Sequence, residues 1–329
     1  MEVSGWLGVA LQLTSAIVSF PVHYQTSYVV EHRFDLSRQS FGHFMLKWAK
    51  MSILMLIFGP LLLSGVYALI WAMPTWWWLA AAVMMTVISG GIGMLVPVVL
   101  APMFYEVEPV KDTVLLERFQ RIASFTTLDI SEVCRIVVSN ETVTANACMV
   151  GMGKSKRVFI TDTLLDGFTP EELEVVLGHE LGHYKHAHLL KMLLCNAIVT
   201  LLGFLVVNVV LNAVATPLGH ASVSAPSTLA LFLLAMSTMS AIAQPVQNFI
   251  FRRFEFEADE FALHCTGNTA AFCSTFTKLV RLNNAEMHRS WWKVLLFDSH
   301  PSTADRIERA KRRQRDLAVG PHGPLELAL

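Results

Sequence analysis

"VVLGHELGHYKHAH", Val175 to His188, sets four of the chain's 12 histidines directly ahead of an uninterrupted apolar run. His179, Glu180 and His183 spell H-E-x-x-H. On a helix, positions i and i+4 share a face, so both imidazoles reach one ion, while Glu180 lies one step round, where a reacting water would sit. The competing explanation is two ordinary helical histidines with an acidic neighbour. Against it stands a marked helix start, with Thr169 as N-cap, Pro170 in the first helical position and Glu172 completing a capping box. No breaker follows until Pro217, so the pattern predicts one continuous rod from a polar region into the apolar run.

A catalytic zinc takes three protein ligands and keeps one position open. A local third histidine would need H-E-x-x-H-x-x-G-x-x-H, but His186 stands at the glycine position and Leu189 at the last histidine, which excludes that arrangement. His186 and His188 lie a turn or more beyond His183 and are expected in solvent or among headgroups. The best source of the third ligand is "RRFEFEADEFA", Arg252 to Ala262. There Glu255 and Asp259 are i and i+4, so Glu255 can bind the ion while Asp259 supports a ligating histidine. Glu257, about 200° round the helix from Glu255, points away. The expected cofactor is one Zn2+ per chain.

Composition sets the surroundings. The 329 residues are 53% hydrophobic and only 16% charged, with a mean hydropathy of +0.49, too apolar for an ordinary soluble domain. Four windows lack Lys, Arg, Asp and Glu: Met51–Met73, Trp76–Tyr105, Met192–Pro217 and Pro226–Phe251. Each is long enough to cross about 30 Å of hydrocarbon as a helix. A fifth, Val3–Val30, is uncharged but more polar, and Glu2 in place of a basic start argues against a secretory signal.

All 25 Lys and Arg fall in three segments, four in Arg33–Lys50, nine in Lys111–Lys191 and twelve in Arg252–Arg315. With five spans these segments share one side, which the positive-inside rule makes cytoplasmic. His183 and Glu255 lie within a few residues of the apolar runs, so the metal is expected at the cytoplasmic membrane face. A net charge of -1 offers no footing for nucleic acid. The five cysteines form no CxxC pair and are expected as reduced thiols.

Between the third and fourth spans, "DTVLLERFQRIASFTTLD" (Asp112–Asp129) carries Val114, Leu115, Phe119 and Ile122 at helical spacing. Three β-rich runs follow, "CRIVVS", "TANACMV" and "KRVFIT". "GMGKS" (Gly151–Ser155) opens no helix and "GGIGM" lies inside a span, so neither is a phosphate loop and no nucleotide is expected.

"HELGH" with a downstream "EFEAD", a preceding "NAC…GMGKSKRVFITDTLL" and a following "SHP" with Arg306 resemble the type I CAAX prenyl protease family of membrane-embedded zinc endopeptidases. "YVVEHRFDLSRQS" is similar to that family's "FVIEERFGFNKQT", and "LAPMFYEVEPV" to its "IAPLFNKFTPL". The resemblance covers about Tyr28 to Arg306. It implies that His179, His183 and Glu255 bind zinc, with Glu180 as catalytic base and Asp259 behind the ligands. It further implies that Asn146 and Arg306 contact the substrate, Asn146 holding its backbone, and that His300 stabilises the oxyanion with Arg306 nearby. Eukaryotic members resemble a seven-span barrel around a chamber, whereas five spans are counted here, so any chamber is expected to be smaller or open.

The expected fold is an α-helical integral membrane protein of about five spans with a mostly helical, zincin-type metalloprotease domain carrying a small β-hairpin or meander. Residues 1–105 would form a membrane region of about three spans with a cytoplasmic loop at 31–50. Residues 106–315 would form the protease domain, including spans at about 189–216 and 226–251, and 316–329 a tail. The expected partners are membrane lipids and a peptide or protein substrate, prenylated or otherwise membrane-tethered. The alternatives are a heat-shock-type quality-control protease and an inactive scaffold. A transporter is disfavoured because the spans carry no charge.

Overall fold

An uncharged backbone in hydrocarbon must pair its own polar groups, and five helices here are long and apolar enough to cross a membrane. The computed structural model describes residues 2–126, 133–150 and 157–319. Helix α1 (Glu2–Tyr24) continues through the wider turns of Gln25–Val30 to Arg33, α2 is Phe41–Ala72, and α3 (Trp77–Leu95) continues through Val96–Leu100 to Phe104. There follow β1 (Glu106–Pro109), α4 (Thr113–Ala123), β2 (Val133–Val137), β3 (Ala147–Val150), β4 (Arg157–Thr161) and α5 (Asp162–Gly167). The last six helices are α6 (Pro170–Lys185), α7 (His188–Val214), α8 (Leu229–Thr266), α9 (Thr269–Leu282), α10 (Trp291–Phe297) and α11 (Thr303–Val319). The "GMGKS" turn, the last three residues of the Asp112–Asp129 segment and residues 320–329 lie outside the described residues.

The chain divides into two compact units, Met1–Ile92 with Met192–Gln244, and Gly93–Lys191 with Pro245–Leu329. The first is built from apolar helices around Val66, Tyr67 and Ile70 of α2, Trp77 and Ala81 of α3, Phe204 and Leu211 of α7, and Phe232 of α8. Its buried indole is satisfied, because Trp77 Nε1 donates to Asn208 Oδ1 at 2.8 Å. Ser40 caps α2 by accepting from His43 N. This start draws Lys47 and Lys50 onto the helix and shortens the expected 31–50 loop. Gly8 of α1 lies at a close approach to α2, since a Cβ there would lie 3.1 Å from Pro60 Cα.

In the second unit a four-stranded sheet has the order β1-β2-β4-β3. β2 and β4 are parallel while both outer pairs are antiparallel, so the small β element is a mixed sheet with β3 at its edge. β1 comes from "EVEP", too short and polar to read as a strand alone. Leu115, Phe119 and Ile122 of α4 pack with Val158 and Ile160 of β4 and with Leu173, Leu177 and Leu181 of α6. Val114 does not join them. It is 63% exposed, because it sits about 100° round the helix from Leu115.

The predicted rod through residue 185 does not form. α6 ends at Lys185, Ala187 takes φ +53° and α7 starts at His188. A positive φ costs a non-glycine residue about 1 kcal/mol or more, and this break turns His188 back towards His183.

Asp162 fastens the sheet to α5. Its buried Oδ1 accepts from the backbone N–H groups of Val138, Ser139 and Thr163 at 3.0, 3.1 and 2.9 Å. Burial pushes its pKa up, but these bonds and one to the Ser139 side chain outweigh that and hold it below the usual carboxylate range. A folded pKa below the unfolded one stabilises above the unfolded value, about 4, and that contribution is lost as pH falls through the folded value. Asp162→Ala should therefore lower stability at pH 7 by about 2–3 kcal/mol, read by thermal melting in detergent. The gap to the native chain should narrow below about pH 4.

Candidate active site

The capping box forms as the sequence predicts. The Thr169 side chain accepts from Glu172 N, and Thr169 N donates to Glu172 Oε2 at 2.9 Å. Glu172 is itself tied to α9 by Lys278 Nζ at 2.7 Å, which fixes where α6 begins. One face of α6 then meets α8 backbone to backbone. A Cβ on Gly182 would stand 2.8 Å from Ala258 Cα, and one on Gly178 would stand 3.1 Å from Ala262 Cα. At 182 only glycine permits that approach, and at 178 a larger residue would press on α8.

The crossing brings His179 and His183 onto Glu255. The two Nε2 atoms are 3.1 Å apart. Glu255 Oε2 lies 3.5 Å from His179 Nε2, and Oε1 lies 3.3 Å from His183 Nε2. Donors about 2.0–2.1 Å from one ion at tetrahedral angles stand about 3.3 Å apart, so the separations fit a shared cation. The chemistry fits as well. Glu255 Oε2 is buried with no hydrogen-bond partner, although His300 Nδ1 lies 2.9 Å away without hydrogen-bond alignment. Two buried carboxylates, Glu255 and Asp259, face one buried guanidinium, Arg306, leaving negative charge that a divalent ion would offset. Two imidazoles and a carboxylate are a donor set typical of catalytic zinc.

Each imidazole is held through its other nitrogen. His179 Nδ1 lies 3.0 Å from Asp259 Oδ1, and Arg306 Nε donates to Asp259 Oδ2 at 2.8 Å. Burial opposes a charge on His179, but its bonds to Asp259 and Glu255 outweigh this and raise its pKa to about 10. In effect the pocket attracts positive charge. Glu180 Oε2 accepts the N–H of Met149 on the edge strand at 3.0 Å. Burial pushes the Glu180 carboxyl above the usual carboxylate range, against the pull of His179 and His183.

Of the residues named from the sequence, His179, His183, Glu255, Asp259, Glu180 and His300 converge, His300 with its side chain 66% exposed. Asn146 is exposed just before β3, with its backbone paired to Thr161 and its side chain in the open. Arg306 is not placed to touch a substrate. It is buried behind His179, with its guanidinium 3.8 Å from the centre of the Phe276 ring, because Asp259 needs a cation at that depth. His188 is fully buried rather than solvated, and Glu257 pairs with it instead of standing apart. Sequence reasoning missed both because they meet only through the break at Ala187. The close-contact glycines were legible as small residues four apart at 178 and 182, matched by Ala258 and Ala262.

Residues 109–314 match the model of peptidase family M48. The chain belongs to that family. Residues 3–106 match a second model, described as the CAAX prenyl protease N-terminal region with five membrane helices, and hold three of the five candidate spans. The "CAAX prenyl protease 1 homolog" of Dictyostelium discoideum is 29% identical over 312 residues, covering 93% of this chain and 71% of the relative. The human homologue is 24% identical over 349 residues, covering 91% and 71%. The "uncharacterized metalloprotease YhfN" of Bacillus subtilis is 27% identical over 225 residues, 66% of this chain and 52% of the relative. The chain thus spans about half the length of the Bacillus relative and about seven tenths of the other two. The crystal structure of S. mikatae Ste24p has the same fold, with a TM-score of 0.81 at 21% identity over 91% of this chain and 73% of that one. This M48 member is a helical, membrane-integral metallopeptidase resembling the CAAX prenyl proteases, and its substrates are peptides or proteins.

Gly182→Ala should separate α6 from α8 and lower both metal content and melting temperature. Ala258→Gly should not rescue it, because the obstructing atoms at 258 are Cα and the carbonyl oxygen; metal analysis of the single and double variants checks this.

Proposed function

We propose that this M48 member is a zinc endopeptidase that cleaves lipid-anchored, in particular prenylated, peptides at the cytoplasmic face of its membrane. The observation that carries the reading is the convergence of His179, His183 and Glu255 beside Glu180. In this reading those three residues hold the zinc, Glu180 is the base and Asp259 orients His179. Zinc held there supplies a Lewis acid that makes water acidic and polarises the scissile carbonyl. Glu180 takes a proton from the attacking water and returns it to the leaving amine. His300, exposed beside Glu255, donates to the charge that grows on the carbonyl oxygen. Substrate backbone adds to the β3 edge, with Asn146 at the start of the strand holding it in register.

Two features support a membrane-presented substrate. Glu255 follows Phe251, the last residue of an uncharged run, by four residues, about 6 Å of helix. The two segments that hold the site, Lys111–Lys191 and Arg252–Arg315, carry 21 of the 25 Lys and Arg, which supports the cytoplasmic side. The division into a membrane region at 1–105 and a protease domain at 106–315 belongs to the same reading.

In detergent, the native chain should hold about one zinc and cut a farnesylated CAAX peptide, while Glu180→Gln should keep the metal and lose about 10²–10⁴-fold in rate. Equal cleavage of the peptide without its farnesyl group would favour a general quality-control protease, to which the backbone-reading edge strand is also suited. Zinc in both proteins with cleavage in neither would overturn the prenyl substrate.

A further inference from the structure

His188 and Glu257 have no part in the mechanism above, yet both are committed to it by geometry. The His188 side chain is completely buried. Its ring is stacked against Phe254, with centroids 4.4 Å apart and planes at 13°, and against His186, at 5.5 Å and 19°. These stacked contacts and the complete burial restrict the orientation of the ring. Its Nδ1 lies 3.0 Å from His183 Nδ1 and its Nε2 lies 3.0 Å from Glu257 Oε2.

Proton accounting along this chain of contacts has one consistent solution. His183 presents Nε2 to the ion, so its single proton is on Nδ1 and donates to His188. That bond makes His188 Nδ1 the acceptor and puts the His188 proton on Nε2, where Glu257 receives it. The carboxylate at the end fixes every tautomer before it. We propose that His188 and Glu257 are a positioning pair that sets the tautomer and the ring angle of His183 and strengthens it as a metal donor, an inference that rests on His183 being a ligand.

The need for two residues follows from the helix. Glu255, Glu257 and Asp259 all come from α8. Asp259, at i+4 from Glu255, faces His179 directly, whereas Glu257 is turned about 200° away and reaches His183 only through an intervening imidazole. An unbroken α6 would have put residue 188 about 140° round from His183. The positive φ of Ala187 is what turns His188 back. Strain of this kind persists where the surrounding structure requires it, and such places concentrate at functional sites.

The test compares the native chain with His188→Ala, Glu257→Ala, Glu257→Gln and His179→Ala, each in detergent. Zinc affinity is read by competition with a chromophoric chelator, and the ligand field by the visible absorption of the cobalt(II)-loaded protein. His188→Ala and Glu257→Ala should each weaken zinc binding about 10–100-fold and shift the cobalt bands. Glu257→Gln, whose amide oxygen still accepts from His188 Nε2, should restore most of the affinity. Glu257 is half exposed, so its removal opens no cavity in the core, and the metal-free melting temperature of Glu257→Ala should match that of the native chain. Native affinity and an unshifted spectrum in both alanine variants would overturn the pair. So would equal losses in Glu257→Ala and Glu257→Gln. A native chain that binds no zinc, or a His179→Ala variant that binds as well as native, would instead overturn the metal reading itself.

Discussion

Two helix backbones touch where Gly178 and Gly182 meet Ala262 and Ala258, and the site depends on that contact. A ligand set drawn from two helices needs its donor atoms about 3.3 Å apart. Helices kept apart by larger side chains pack at 8–10 Å between axes, and a glutamate and two histidines would then meet only with stretched or off-rotamer side chains. Small residues at the crossing remove that conflict. The H-E-x-x-H helix therefore carries two kinds of information on adjacent residues: each histidine donor directly follows a glycine that brings it into range.

The second constraint is electrostatic. Glu255, Asp259 and Arg306 are all buried, and an unpaired buried charge is expensive. Asp259 is matched by Arg306, whose guanidinium also rests on the Phe276 ring. Glu255 has no equivalent partner, and its Oε2 is left without a donor. The surrounding structure satisfies one carboxylate completely and leaves its neighbour one helical turn away exposed to whatever cation the histidines can also reach. That asymmetry distinguishes the proposed supporting aspartate from the proposed ligand more sharply than their spacing does.

Local patterns reached the sequence reading intact. The capping box at Thr169, the H-E-x-x-H face and the i, i+4 pair on α8 each depend on residues within one helical turn, and all three form. The apolar runs were legible for the same reason, since a span declares itself by length and lack of charge. What was lost was set by contacts far apart in sequence. Arg306 was assigned to the substrate because nothing nearby shows that Asp259, 47 residues away, needs a buried cation. β1 is four residues of mixed polarity and becomes a strand by pairing with β2. Ala187 carries no breaker signal, and its positive φ goes with the burial of His188, a contact the local sequence does not announce. That single unreadable angle explains why both His188 and Glu257 were set aside.

The end of the last span shows how one helix joins membrane and chemistry. Arg252 is the first charge after the uncharged run of α8, and its Nη1 donates to the carbonyls of Val294 and Asp298 at 2.7 and 2.6 Å. Asn248 Nδ2, one turn earlier, donates to Leu296 O at 3.1 Å, while Asp298 is also paired with Arg289 at 2.8 Å. These bonds fasten α10 and the segment leading to His300 onto the same helix that presents Glu255 three residues after Arg252. His300 itself is exposed and makes its close approach to Glu255 from that segment. Its position is thus fixed by polar groups at the boundary of the apolar run, and a shift of α8 along its axis would move the ligand and the proposed oxyanion donor together. Such a shift keeps the spacing between Glu255 and His300, and it is the contact of α8 with Gly178 and Gly182 that holds both in place against the histidines of α6.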